Sequence, residues 1–276
     1  MSSVPLLSQV NPVPSLSQIR LTPSRAAGIP ERTERLHRRL ACQLAQTASR
    51  LLRLPQATAA TAQVLIQRFY YLRSLTTFGP LDAAMGALFL ATKVEETPKY
   101  LTDMISVFDY LEQAFHEKSF QPIEPYGELY YNLRGVMIEM EMVFLVSLGF
   151  HVHPQLPYGL LIHYLRLLGL ESNQKATQHA WSFLNDALQT EVYALYQPPT
   201  LACMAIFLTA RDLGIALPTS PPWWELFDVR EEEMVSASGY LKSMYLESLD
   251  PSQLALTAKQ IQERWSSVDV ELDRKE

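Results

Sequence analysis

From residue 33 onward, apolar positions recur at intervals of three and four. Leu36, Leu40, Leu44, Leu51 and Leu52 share one helical face, with Thr33 placed as an N-cap and Pro55 as the stop. The same spacing predicts helices over about 56–74, 80–96 (closed by Pro98), 101–114 and 126–148, with a polar, Pro-containing loop over about 115–125. The stretch "GFHVHPQLP" breaks the pattern. Helical spacing then resumes over about 155–168, 173–190, 198–213 and 231–247, and the Pro-rich "LPTSPPWWELF" separates the last two. Hardly any segment alternates with period two, so the expected class is all-α. Residues 1–32 are rich in Ser and Pro with single scattered apolar residues, which predicts a flexible or partner-draped arm.

One helix is written twice. "ALFLATKVEETPK" (87–99) and "AIFLTARDLG" (205–214) carry a similar small apolar pattern ending in one basic residue, Lys93 or Arg211, 118 positions apart (211 − 93). The same shift carries 56–74 onto "ATQHAWSFLNDALQTEV" and 36–53 onto "PQLPYGLLIHYLRLLGL", both helical by pattern. The chain is therefore expected to form two tandem bundles of about five helices, over 33–150 and 151–249, followed by a tail over 250–276. In "MGALFLATK", small residues (Gly86, Ala87, Ala91, Thr92) mix with large ones (Leu88, Phe89, Leu90) around the whole circumference. A helix apolar on every side is one surrounded by others, so each bundle should have a central helix.

Only the first copy continues into two carboxylates, "TKVEETP". Glu95 and Glu96 face the negative end of the helix macrodipole, at a cost of about 0.3–1 kcal/mol each when exposed. An i,i+3 pair between Lys93 and Glu96 would return a few tenths of a kcal/mol. The other reading is a surface at which a second protein supplies complementary groups.

Composition narrows the classes. The 276 residues are 48% hydrophobic and 19% charged, against an average of about 25% charged, which fits a globular chain with one large core or two ordinary ones. A net charge of -6 argues against a surface that neutralises many phosphates, so nucleic acid is not the leading partner. Cys42 and Cys203 each lie in an apolar helical pattern, where a reduced thiol behaves as a small hydrophobe. The N-terminus lacks a basic n-region and a continuous apolar core, and the longest apolar run, "MVFLVSLGF", has about half the length of a membrane span. An intracellular, soluble protein is expected.

"ATKVEETPK" is similar to the A-K-x-E-E signature of the cyclins, and "EMEMVFLVSLGF" (139–150) to the helix that closes their first box. The similarity runs through "LRLPQATAATAQVLIQRFYY" and covers about residues 33–249. The second half, from "AWSFLNDALQTEVYALYQPPT" to "PPWWELF", resembles the cyclin L branch. "KVEETPK" by itself would also suit the T and K kinds. The resemblance implies two five-helix cyclin boxes and a regulatory subunit that pushes the C-helix of a kinase inward, leaving catalysis to the partner. It implies a cyclin-dependent Ser/Thr kinase of the PITSLRE type, bound as a heterodimer, acting on the RNA polymerase II tail or splicing factors in the nucleus. The family's kinase-bracketing pair falls on Lys93 and Glu141, its aromatic anchor on Phe150, and Glu95 and Glu96 complete the expected kinase-binding set. Cell-cycle cyclins dock Arg-x-Leu motifs on an apolar patch of their first helix, but the aligned positions here, "HRRLA" (37–41), keep the Arg at Arg38 and are otherwise too polar.

Other chemistries find no constellation. His151 and His153 have no Cys or acidic cluster beside them, so no metal site is expected. No Gly-rich phosphate loop, G-x-S-x-G elbow or H-E-x-x-H is present, so no cofactor and no catalytic residue is expected. Thr22-Pro23 and Ser220-Pro221 would suit a proline-directed kinase, although such dipeptides are frequent in loops. The alternatives to a cyclin L-like subunit are another transcription-type cyclin (T, K or C kind) and a DNA-binding adaptor like transcription factor IIB, which shares a two-repeat helical fold.

Overall fold

A computed structural model describes residues 11–115, 121–124 and 126–247; the first ten residues of the expected arm and the expected tail lie outside them. Among the described residues the chain is helical, without a strand, and it divides into two compact units. One is Ser15–Val152 with Glu247; the other is His153–Leu246 together with residues 11–14.

The N-terminal unit contains α1 (Leu16–Arg20), α2 (Pro23–Ala26), α3 (Glu31–Leu51), α4 (Gln56–Phe69), α5 (Pro80–Val94), α6 (Leu101–Phe115) and α7 (Glu128–Ser147). As the mixed circumference of α5 predicts, this helix packs against α3, α4, α6 and α7, and Ala83 to Leu88 are fully buried. Gly86 sets the approach of α7: a Cβ there would lie 2.5 Å from Met140 Cβ, so only glycine allows this spacing.

In the C-terminal unit, α8 (Tyr158–Leu167), α9 (Gln174–Ala187), α10 (Val192–Leu195) and α12 (Glu231–Leu246) surround α11 (Pro198–Leu213). The 118-residue shift carries α4 onto α9 and the start of α5 onto the start of α11. It fails at α6, whose image falls on the Pro-rich turn and the 3-10 helix Glu225–Phe227. Pro218, Pro221 and Pro222 remove backbone donors and prevent a continuous helix there.

Three local expectations change. The first long helix begins at Glu31, so Thr33 lies inside its first turn and Pro30 takes the cap position without a side-chain bond. The second ends at Phe69, short of the expected 74. The arm does not extend through residue 32: Ser15 forms a capping box with Gln18 on α1, and Thr22 caps α2.

A buried polar network holds that segment in the N-terminal unit. Thr22 Oγ1 and Arg25 Nε donate to Glu34 Oε2 at 2.9 and 2.8 Å, and Ser24 Oγ accepts from the Leu75 N–H at 3.0 Å. Arg38, also buried, donates through Nε and Nη2 to the side chain and carbonyl of Gln67, and stands 4.3 Å from the Tyr71 ring centroid. Thr22 is fully buried, so a modifying kinase could not reach it in this fold. His37, Arg38, Leu40 and Ala41 are buried as well, so "HRRLA" offers no docking patch. Cys42 and Cys203 are free and buried, and burial pushes each thiol up to about 12.

Candidate functional site

The last turn of α5 and the middle of α7 bring two predicted residues together. Lys93 Nζ donates to both carboxylate oxygens of Glu141, at 2.6 and 2.7 Å. The ammonium also lies 4.1 Å from the centroid of the Phe89 ring, one turn earlier on α5. Phe89 is a member of the site that the sequence reading missed; its place four residues before a surface lysine was the available signal. The pair is at the surface, with the Lys93 side chain 49% exposed and that of Glu141 15% exposed. Because Met140 rests on Gly86, the residue beside Glu141 is seated on the same helix that carries Lys93.

Glu95 and Glu96 do not join that pair. Glu95 accepts from Thr61 Oγ1 on α4 at 2.7 Å, next to a hydroxyl pair between Thr58 and Thr97 at 2.9 Å. These bonds tie the end of α5 to the start of α4, which is a structural role. Glu96 is left-handed, with φ 52°, and Thr97 N–H donates to the Thr92 carbonyl at 2.8 Å. Glu96 thus occupies the position after a helix where glycine is strongly preferred. The i,i+3 pair of Lys93 with Glu96 is replaced by the bidentate pair with Glu141.

Phe150 follows α7, with Phe150 N–H donating to the Leu145 carbonyl at 3.0 Å. Both Gly149 (φ 56°) and Phe150 (φ 64°) are left-handed, and the Phe150 side chain points outward with the residue 66% exposed. A bulky residue in that region stores about 1–3 kcal/mol of strain. The exposed apolar side chains Ile138, Met142 and Val146 precede it on α7 at intervals of four. By contrast Phe144 is fully buried and stacks on Phe69 at 4.2 Å. Chemically the site offers one cation, one carboxylate and an apolar side chain, and no described group of three or more His, Cys, Asp or Glu could hold a metal ion. No described helix is long and apolar enough to cross a membrane.

Residues 22–153 match the family model for the cyclin N-terminal domain. Cyclin-L2 of Mus musculus is 41% identical over 217 residues, which is 79% of this chain and 42% of that protein. Cyclin-L1 of Homo sapiens is 41% identical over 213 residues, 77% of this chain and 40% of its own length. The chain thus spans about two fifths of the length of these curated relatives. Among solved structures, a chain of the yeast RNA Pol II CTD kinase CTDK-1 complex has a TM-score of 0.72 at 20% identity, covering 88% of this chain and 75% of that one. A chain of the Chaetomium thermophilum CAK complex bound to ATP-gamma-S has a TM-score of 0.58 at 18% identity, covering 87% and 77%. These two likenesses show the fold alone; what the chain carries is a cyclin N-terminal domain over residues 22–153, and over most of its length it is similar to cyclins L1 and L2.

Proposed function

We propose that this chain is the regulatory subunit of a cyclin-dependent Ser/Thr kinase and that Lys93, Glu141 and Phe150 receive the kinase's C-helix. The observation that carries the reading is a surface ion pair between α5 and α7 together with an exposed, backbone-strained phenylalanine just after the end of α7. The segment entering a docked helix presents main-chain carbonyls and the first turn of that helix presents orphan N–H groups; Lys93 can donate to the former and Glu141 can accept from the latter. Phe150 supplies the apolar anchor, held outward before any partner arrives, so little side-chain ordering remains to oppose binding. Glu96 adds a carboxylate at the same helix end, while Glu95, engaged by Thr61, acts by holding α5 to α4. Catalysis then belongs to the kinase, and this chain contributes by fixing the C-helix position.

The finer assignment, a PITSLRE-type kinase acting in RNA polymerase II transcription and pre-mRNA splicing in the nucleus, rests on the identity to cyclins L1 and L2. It is also in keeping with the fold shared with a chain of an RNA polymerase II tail kinase complex.

The test is a charge swap, Lys93→Glu with Glu141→Lys. It preserves an ion pair across α5 and α7 but exchanges what each side offers a docked helix. Capture of the kinase should fall more than about a hundredfold, because a carboxylate would then face main-chain carbonyls and an ammonium would face N–H groups, leaving both sets without partners. Helical circular dichroism should not change, and Arg211→Glu, at the duplicated position, should leave capture intact. Normal capture by the swapped protein would defeat the proposal.

A further inference from the structure

We infer that the C-terminal unit carries a peptide-recognition seat that reads an asparagine in an extended, proline-flanked segment, and that its occupant is residues 11–14 of this same chain. Both halves of Asn11 are read. Its side-chain Nδ2 donates to the Gln155 carbonyl at 3.0 Å, and its Oδ1 accepts from the Gln155 N–H at 2.9 Å. The side-chain amide of Gln197 treats the Asn11 main chain in the same way: Oε1 accepts from the Asn11 N–H at 3.1 Å, and Nε2 donates to its carbonyl at 2.9 Å. Asn11 retains 7% exposure, so these bonds are made largely out of water.

The chemistry selects asparagine. Aspartate would set a second acceptor against the Gln155 carbonyl, glutamine would carry its amide a methylene too far, and serine or alanine would leave buried groups unpaired. Local sequence prepares both sides of the contact. Pro12 biases the residue before it toward an extended backbone, which presents the Asn11 N–H and carbonyl for reading by one amide. Gln197 is the N-cap of α11 yet makes no capping bond. Pro198 and Pro199 open that helix without N–H groups, so two of the donors a cap would serve are absent and the Gln197 side chain is available for Asn11.

The inference does not depend on a kinase partner, and its test does not use one. A chain lacking residues 1–14 is titrated with a synthetic peptide of residues 5–15 by isothermal calorimetry, beside the full chain and a peptide carrying Asn11→Ala. The truncated chain should bind the native peptide at least about tenfold more tightly than it binds the alanine peptide, and at least about tenfold more tightly than the full chain binds the native one. Equal binding in either comparison, or no binding of the native peptide to the folded truncated chain, overturns the seat. Should truncation prevent folding, the full chain decides: Asn11→Ala should speed hydrogen exchange at the Gln155 amide at least about tenfold, and unchanged exchange overturns the inference. A full-length dimer that the free peptide converts to monomer would mean that the segment comes from a second copy, which overturns the assignment within one chain.

Discussion

At the end of α5 the backbone turns left-handed at Glu96; at the end of α11, 118 positions later, it does so at Gly214. The turns are built alike, with Thr97 N–H on the Thr92 carbonyl in one and Ile215 N–H on the Ala210 carbonyl in the other. Glycine makes that turn without a Cβ penalty, whereas the first copy keeps a carboxylate there and carries the strain. The basic residues differ in the same sense. Lys93 and Arg211 each lie over a phenylalanine four residues earlier, at 4.1 and 5.5 Å, but among the described residues only Lys93 is paired with a carboxylate on a neighbouring helix. Two copies of one helix thus separate what the packing requires from what the first copy carries in addition.

The comparison can be broken first at Gly86, whose image in the second copy is the buried Met204. Gly86→Ala forces Met140 away and should cost about 1–3 kcal/mol in urea unfolding. By shifting α7 it should also weaken kinase capture; a fully stable variant with normal capture would show that the close helix approach does not position Glu141. Next is Glu96→Gly, which copies the second turn into the first. It should raise stability by about 1 kcal/mol while reducing capture of the kinase. A stabilised protein with undiminished capture would leave the Glu96 carboxylate without a role at the interface.

The smallest effect is expected at Asp82, where the second copy has Thr200. Burial pushes the Asp82 carboxyl up to about 6, Glu112 and Glu139 add to this, and the backbone bond at Gly79 opposes it. Between pH 3.8 and about 6 the folded chain holds a proton that the unfolded chain has released, so this group's contribution falls as pH rises through that window. Asp82→Asn should therefore change little near pH 4 and stabilise by less than about 1 kcal/mol at pH 7, read as thermal midpoints at the two pH values. A larger gain at the acid end would reverse the assigned sign.

The long helices were legible because one strong signal, apolar spacing bounded by Pro and Gly, determines each of them. The shared shift of α4 and α5 onto α9 and α11 was legible for the same reason, since the positions buried in α9 and nearly all of those buried in α11 are images of buried positions in α4 and α5. The fastening of residues 15–32 was not, because it depends on bonds such as Leu75 N–H to Ser24 Oγ, between residues 51 apart in sequence. Local traces existed in the S-x-x-Q box at Ser15 and in Thr22 before Pro23, but one-turn helices carry too few apolar residues to outweigh a Ser/Pro-rich composition. At the site, Lys93, Glu141 and Phe150 were named from family resemblance, and Phe89 was absent because its contribution is the direction of a ring. The engagement of Glu95 by Thr61 was hidden for a like reason: it joins two helices whose contact is tertiary.

The Glu34 carboxylate, fully buried and bonded by Thr22 and Arg25, governs where this molecule can be cut. A fragment begun at the first long helix would strip both donors from an interior negative charge, with Arg38 at 3.7 Å as the remaining cation. The shortest self-sufficient piece of this bundle therefore begins ahead of Thr22, and proteases should spare residues 22–25 even though the composition around them invites cleavage.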